Sequence, residues 1–284
     1  MKFGVTMFPT DYAIDPITLA RAVEERGFDS LFFPEHTHIP ASRRTPWPGG
    51  ADLPQEYWHT HDPFVALAAA AAVTRRIRLG TGICLVVERD PIQLAKEVAS
   101  LDTISGGRFV FGIGAGWNAE EMENHGVSFA RRWAIVREKV LAMKTIWSED
   151  APEFHGEFVD FDPIWSWPKP VQSKGESVGP PIWLGAQSKW AFDRVVEYCD
   201  GWMPIGLLGG LEEGMASLRR AAARAGREFD ALDKAVFTAQ PTPEACEKSL
   251  ALGFGELIFA LPSKREDEIL PLLDRFAEVS RKLR

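Results

Sequence analysis

Short runs of strand-forming apolar residues alternate along this chain with longer stretches of helical periodicity, and the alternation repeats eight times. Residues 2–8 and 28–33 predict the first two strands. A helix from Asp15-Pro16 to about Arg26 lies between them, with Gly27 as its stop. An alanine-rich helix over 64–73 follows, capped by His61-Asp62-Pro63. Residues 77–84 predict a third strand, broken by Gly80 and Gly82, and Asp90-Pro91 opens a helix to about Thr103. The fourth strand centres on Phe109 to Phe111, and a short helical turn is expected at 119–123. The rest predicts helices at 129–147, 189–198, 211–225, 243–251 and 266–279, with 281–284 frayed. Strands fall at 181–185, 201–206, 235–239 and 256–261. Continuous apolar strands alternating with helices mean a parallel sheet covered on both faces. Eight units predict a closed (β/α)8 TIM barrel, with an open doubly wound sheet as the runner-up.

Two segments break this rhythm. Residues 40–61 carry Pro46, Trp47, Pro48, Gly49, Gly50, Pro54 and Trp58 and fit neither period. A connection of that length is unusual unless it is functional. Residues 148–180 mix Phe154, Phe158, Phe161, Trp165 and Trp167 with Pro152, Pro163, Pro168 and Pro170. They predict an insertion with a short hairpin around His155-Gly156-Glu157 and an exposed, mobile piece over 173–179. We expect one domain over residues 1–284, with the 148–180 insertion covering part of the barrel mouth. The fourth strand runs into Gly112, Gly114 and Gly116. Each glycine costs about 0.5–1 kcal/mol of backbone entropy, and the usual return is close approach of the backbone to a neighbour or a ligand. The G-x-G-x-G spacing is not that of a dinucleotide fingerprint.

Composition narrows the function. The 284 residues are 45% hydrophobic, enough for one large core, and a formal net charge of -8 argues against a nucleic-acid partner. No stretch is long and apolar enough to span a bilayer. The chain opens directly on a strand pattern, which argues against a signal peptide. Cys84, Cys199 and Cys246 lack metal-type spacing, and their odd number fits a reducing compartment. A cytoplasmic protein is the expectation. Ten tryptophans, several beside glycine or proline, favour an aromatic-lined pocket for a small molecule.

In a barrel, chemistry sits at the carboxyl ends of the strands. That rule selects Glu35-His36, Thr81-Gly82-Ile83, the run from Gly114 and Ala115 to Asn118, Gly185-Ala186-Gln187-Ser188, and Ile205-Gly206. His36 is the candidate for proton transfer, since neutral imidazole can donate or accept near pH 7. The structural alternative is a histidine that packs and donates to a carbonyl. Glu35 alternates with His36, so the two need not share a space. The pairs His36/His38 and His59/His61 have no thiolate or further histidine partner, so no metal site is expected. The turn from Gly185 to Ser188 joins a strand to a helix N-terminus. Free N–H groups and the Ser188 hydroxyl there can seat a phosphate, or Ser188 can be an ordinary N-cap.

The run Ser105-Gly106-Gly107-Arg108-Phe109 into Gly112-Ile113-Gly114-Ala115-Gly116-Trp117, followed by Glu120-Glu121, resembles the bacterial luciferase-like superfamily of flavin and deazaflavin enzymes. Gly80-Thr81-Gly82-Ile83 and Gly185-Ala186 before Asp200-Gly201-Trp202 extend the resemblance over nearly the whole chain. It is most like the branch of oxidoreductases dependent on coenzyme F420. The resemblance implies hydride transfer between F420 and a small organic substrate; the alternative is an FMN-dependent monooxygenase using reduced flavin and O2. A protein that keeps only the barrel without catalysis is a third reading, which His36, the phosphate turn and the glycine run oppose. The resemblance places a cofactor ring over the barrel mouth against Glu35, Thr81, Gly82, Ile83, Gly114, Ala115 and Asn118, with its phosphate at Gly185, Ala186, Gln187 and Ser188. It implies a non-proline cis peptide at Gly82-Ile83, His36 as the catalytic residue, and a homodimer or higher homo-oligomer formed through outer helices. Two departures stand out: Glu35 where relatives carry aspartate, and Ala115 where sugar-phosphate dehydrogenase relatives carry an acidic proton donor. A dehydrogenase of that kind is therefore not expected. Glu35 is expected to hold the loop through Arg43 or Arg44, and no second proton donor is expected beside His36.

Overall fold

The computed structural model describes residues 1–50, 52–174 and 177–284. Strand formation follows the apolar runs. The barrel strands are β1 (Lys2–Thr6), β2 (Ser30–Phe33), β3 (Arg78–Thr81), β4 (Phe109–Gly114), β5 (Ile182–Leu184), β6 (Gly201–Trp202), β7 (Asp233–Ala239) and β8 (Glu256–Ala260). All pair in parallel in the order β5-β6-β7-β8-β1-β2-β3-β4, and the ring closes where Ile182 lies opposite Phe111 and Leu184 opposite Ile113. The expected (β/α)8 TIM barrel is therefore the observed architecture, with the open sheet excluded by that closing pair.

The helices are α1 (Pro16–Glu25), α2 (Pro63–Val73), α3 (Pro91–Ser105), α4 (Arg132–Ser148), α5 (Ala191–Tyr198), α6 (Leu211–Ala225), α7 (Pro243–Ala251) and α8 (Glu266–Leu283). Four of them, α1, α2, α3 and α7, start at an aspartate or threonine cap followed by proline. Asp15, for example, accepts from the N–H of Ile17 at 3.0 Å and of Thr18 at 2.9 Å. Such caps contribute about 0.5–2 kcal/mol each. Among the described residues no helix is long and apolar enough to cross a membrane.

Strand parity sorts the core into two shells. Leu31, Phe33, Phe109, Phe111, Ile113, Ile182 and Leu184 join the helix-facing shell. Phe32, Val110, Trp183, Met203, Ala235 and Ile258 fill the barrel interior, with Ile83 and Phe237 packed on them. Beneath lies a polar layer in which Glu256 accepts from Ser30 and pairs with Arg78.

Several expectations need correction. The third strand stops at Thr81, and Cys84–Leu85 forms a separate short strand beside β4. The 40–61 segment contains a short helix, Glu56–His59. Helix α4 starts at Arg132 after a tight turn over Phe129–Arg131. Helix α8 continues through Leu283 instead of fraying at 281, and Arg284 donates to Asp29 at 2.6 Å.

The 148–180 segment carries the expected hairpin, Phe154–His155 against Asp160–Phe161. Its hydrogen bonds tie it to α3 and α4. Glu138 accepts from the N–H of Phe158 and Val159, Lys169 donates to the carbonyl of Ile146, and Asp102 accepts from Val171 and Gln172. The expectation of a mobile stretch over 173–179 falls partly outside the described residues. Within them Ser173–Lys174 pairs with Ser177–Val178, and Gly179 is buried.

Candidate active site

Parity separates Glu35 from His36. Leu31 and Phe33 face the helices, and Glu35 continues their side. Its carboxylate accepts from the N–H of Leu85 at 2.6 Å and from Arg89 Nε at 2.6 Å. Arg89 also holds Asp62 and Glu97. Glu35 thus anchors a buried knot between β2, α2 and α3. Its partner is Arg89, not Arg43 or Arg44.

His36 turns into the mouth. Its ring is flanked by Phe8, Tyr57 and Trp117 at centroid distances of 6.5, 5.1 and 5.9 Å. Its Nδ1 lies 2.8 Å from Glu121 Oε2, and both side chains are almost fully buried. With Nδ1–H donating to the carboxylate, the free nitrogen is Nε2, an acceptor in that tautomer. Nε2 has no hydrogen-bond partner among the described residues and is not sealed from solvent.

Glu121 is the residue that sequence reasoning missed, and Glu88 is a further buried acid. Glu88 ends the turn Val86–Glu88 with its side chain 1% exposed, and neither oxygen has a hydrogen-bond partner among the described residues. Burial first, then the charges of Glu121 and Glu35, pushes it up to about 9. Asn118-x-x-Glu121 has the form of a capping box, and that signal was present in the sequence. Asn118 caps the short helix Ala119–Asn124 by accepting from the Glu121 N–H at 3.4 Å, while the Glu121 carboxylate turns to His36.

The glycine run serves neighbouring protein atoms. A Cβ on Gly112 would sit 2.0 Å from the Thr81 carbonyl oxygen, and one on Gly114 would sit 2.4 Å from Ile83 Cδ1. Gly185 gives the same clearance from the other side, at 2.6 Å from Ile83 Cγ2. Gly116 has a φ of 72°, which frees the chain to turn towards Trp117. The Gly82-Ile83 peptide is cis, as is Trp167-Pro168. Ile83 therefore forms the floor of the mouth, wedged between two glycines. Thr81 spends its hydroxyl on the Gly112 carbonyl at 2.7 Å. Ala115 belongs to the helix-facing shell, on the parity of Phe111 and Ile113, and does not line the mouth.

The wall comes from the long 40–61 connection. Tyr57 packs on Phe8 at 4.7 Å, Trp47 on Tyr57 at 5.8 Å, and Arg43 lies 5.7 Å over the Trp117 ring. Glu120 accepts from the N–H of Arg44 and Thr45 at 3.2 Å, and hydrogen bonding from Thr45 holds it down at about 2.

At the β5 turn the N–H groups of Ala186, Gln187 and Ser188 make no hydrogen bond among the described residues. Three consecutive free amides suit an anion. Gln187 itself is spent on the scaffold, accepting from Ile205 N–H at 3.2 Å and donating to the Gly209 carbonyl at 3.0 Å. Ser188 is not the helix N-cap: α5 starts at Ala191, and the Ser188 carbonyl accepts from that residue's N–H at 2.8 Å. A groove of about 700 Å³ is lined in part by Gly209, Gly210, Val236 and Lys248. No group of three or more His, Cys, Asp or Glu among the described residues is placed to hold a metal ion.

A flavin-type ring fits this arrangement. The buried Asn118 Nδ2 has no hydrogen-bond partner among the described residues, nor do the hydroxyls of Thr6 and Thr238 at the ends of β1 and β7. Fold and site together define a barrel oxidoreductase of the flavin and deazaflavin type. The family model for luciferase-like monooxygenases matches residues 9–266, and the chain belongs to that family. An uncharacterised protein of Mycobacterium tuberculosis is 39% identical over 282 residues, covering 98% of each chain. The pyrimidine monooxygenase RutA of Allorhizobium ampelinum is 30% identical over 207 residues, 69% of this chain and 54% of that one. The structure of an F420-dependent secondary alcohol dehydrogenase, in complex with an F420-acetone adduct, superposes over 100% of both chains. Its TM-score is 0.77 at 17% identity.

Proposed function

We propose that this chain is a reduced-flavin-dependent monooxygenase acting on a small organic substrate. The observation that carries the reading is the buried His36–Glu121 pair at the strand carboxyl ends, with Nε2 free inside an aromatic wall. The family model and the RutA match favour oxygenation over the hydride transfer to F420 expected from sequence. FMN, when bound and reduced, supplies the two electrons that activate O2. The protein's own residues do the rest. Ile83 would brace the ring, the unpartnered Asn118 Nδ2 would donate to it, and the free amides of Ala186, Gln187 and Ser188 would seat the phosphate. His36 Nε2 takes or returns a proton at the reacting oxygen, oriented by Glu121. Phe8, Tyr57 and Trp117 line the space around it.

The F420 reading is the second, favoured by the whole-chain match to the alcohol dehydrogenase structure. Titration of the purified protein with FMN and with F420, each oxidised and reduced, separates the two. We expect saturable binding of FMN and substrate-dependent O2 uptake with reduced FMN. Binding of F420 alone selects the hydride carrier, and binding of neither removes both. At the phosphate turn, Ser188→Ala costs roughly 0.5–1.5 kcal/mol of cofactor binding if its hydroxyl reaches the phosphate. Unchanged affinity in that variant leaves the amides to do the binding.

A further inference from the structure

The amino ends of the barrel strands, opposite the mouth, carry a hollow of about 390 Å³. Four cationic side chains line it, Lys2, Arg76, Arg78 and Arg284, against two carboxylates, Glu24 and Asp29. Lys2 opens β1, Arg78 opens β3, and Asp29 stands one residue before β2.

Both carboxylates are engaged by the scaffold. Glu24 accepts from three consecutive backbone N–H groups, those of Arg75 at 3.0 Å, Arg76 at 2.6 Å and Ile77 at 3.1 Å. Asp29 Oδ2 accepts from the Phe3 N–H at 2.7 Å and from Arg284 at 2.6 Å. The cations are not engaged to the same degree. Lys2 Nζ makes no hydrogen bond or ion pair among the described residues. Arg76 uses one nitrogen, donating to the Glu24 carbonyl at 3.2 Å. Arg284 uses only Nη2, shared between Asp29 and the Gly27 carbonyl. Arg78 pairs with Glu256 through Nη2, and its Nε is buried without a partner among the described residues.

Capping of the carbonyls at the end of α1 accounts for one nitrogen each of Arg76 and Arg284. It does not account for Lys2, nor for four like charges around one cavity, which repel one another unless an anion lies between them. Guanidinium forks arriving from separate segments, with an ammonium beside them, match the several oxygens of a phosphate group. The volume falls in the range of small-molecule sites.

We propose that this hollow binds a small anion of the phosphate or diphosphate type, at a site separate from the mouth. The bound anion ties together β1, the α1–β2 connection, the residues ahead of β3 and Arg284, and it stabilises the barrel by linkage. The site does not depend on the reading of His36 or on the flavin.

Inorganic diphosphate is the probe, added to the full chain without flavin. Calorimetric titration is expected to show saturable binding. The melting temperature is expected to rise with diphosphate beyond the effect of sodium chloride at equal ionic strength. Lys2→Gln and Arg76→Gln remove charges that no carboxylate pairs with among the described residues, so both variants are expected to melt cooperatively. Each is expected to weaken diphosphate binding about tenfold or more, the loss of one charge-assisted hydrogen bond, while Lys2→Arg keeps it. In wild-type protein labelled with 15N-arginine, diphosphate is expected to shift the side-chain signals of Arg76 and Arg284, a readout that needs no variant. Absence of saturable binding, an equal effect of sodium chloride, unshifted arginine signals, or unchanged affinity in either Gln variant overturns the site. Binding that survives both variants places diphosphate at the amides of Ala186 to Ser188 instead. Failure of FMN to bind sinks the functional reading and leaves these measurements as they stand.

Discussion

His36 gains its orientation from a partner 85 residues further along the chain. Glu121→Gln keeps the shape but removes the negative charge that stabilises an imidazolium. We expect turnover to fall roughly 10²–10⁴-fold with cofactor affinity kept. Equal loss of affinity would mean that Glu121 only props the fold. His36→Ala should cut single-turnover rates by a similar factor, and His36→Asn separates hydrogen bonding from proton transfer. Glu88 has a stability signature of its own. It is raised from an ordinary 4.5 to about 9, so the folded state holds a proton that the unfolded chain releases. That contribution is full below about pH 4.5 and is lost as pH rises towards about 9. The melting temperature of Glu88→Gln relative to wild type should therefore climb across this window, and a constant difference refutes a neutral Glu88. At this scale the sequence was half legible. Alternation along β2 separates Glu35 from His36, and the same parity along β4 turns Ala115 to the helices, although the family resemblance pointed it at the ring. Arg89, 54 residues from Glu35, leaves no local trace of that pairing.

Among elements, β4 and its glycines show what a pattern can and cannot say. The alternate glycines announced a close approach, but not to what. Gly112 makes room for a backbone carbonyl of β3, and Gly114 for the end of a side chain. Gly112→Ala should therefore destabilise more than Gly114→Ala, because Ile83 can shift and the Thr81 carbonyl cannot. Overpacking of this kind costs about 1–3 kcal/mol, and denaturant melts give the order. Gly114→Ala should also weaken cofactor binding, by lifting the floor. Helices α6 and α7 match their expected bounds, because a C-terminal glycine and a Thr-Pro cap mark them. Helix α5 starts late, since Ser188-Lys189-Trp190 forms a turn that no local signal separates from a helix start.

For the molecule as a whole, the eightfold rhythm was enough to give the barrel, since each unit closes on its neighbours. The 148–180 segment was legible as an interruption, whereas its anchors Asp102 and Glu138 lie on other elements and leave no local signal. Association remains a proposal. Helix α2 carries Val65 71% exposed on its outer side, beside a run of alanines. A homodimer through outer helices is expected at micromolar concentration, and sedimentation of a monomer there overturns it.

The mouth draws its parts from two sources. His36, Asn118, Glu121 and Ile83 stand on or directly beside barrel strands, while Trp47 and Tyr57 come from one contiguous connection pinned at Glu120 and at the Thr10–Thr60 bridge. Specificity and reactivity are in that sense modular. A lineage can exchange the 40–61 segment and so change which molecule enters, while the proton machinery on either side of it is inherited untouched.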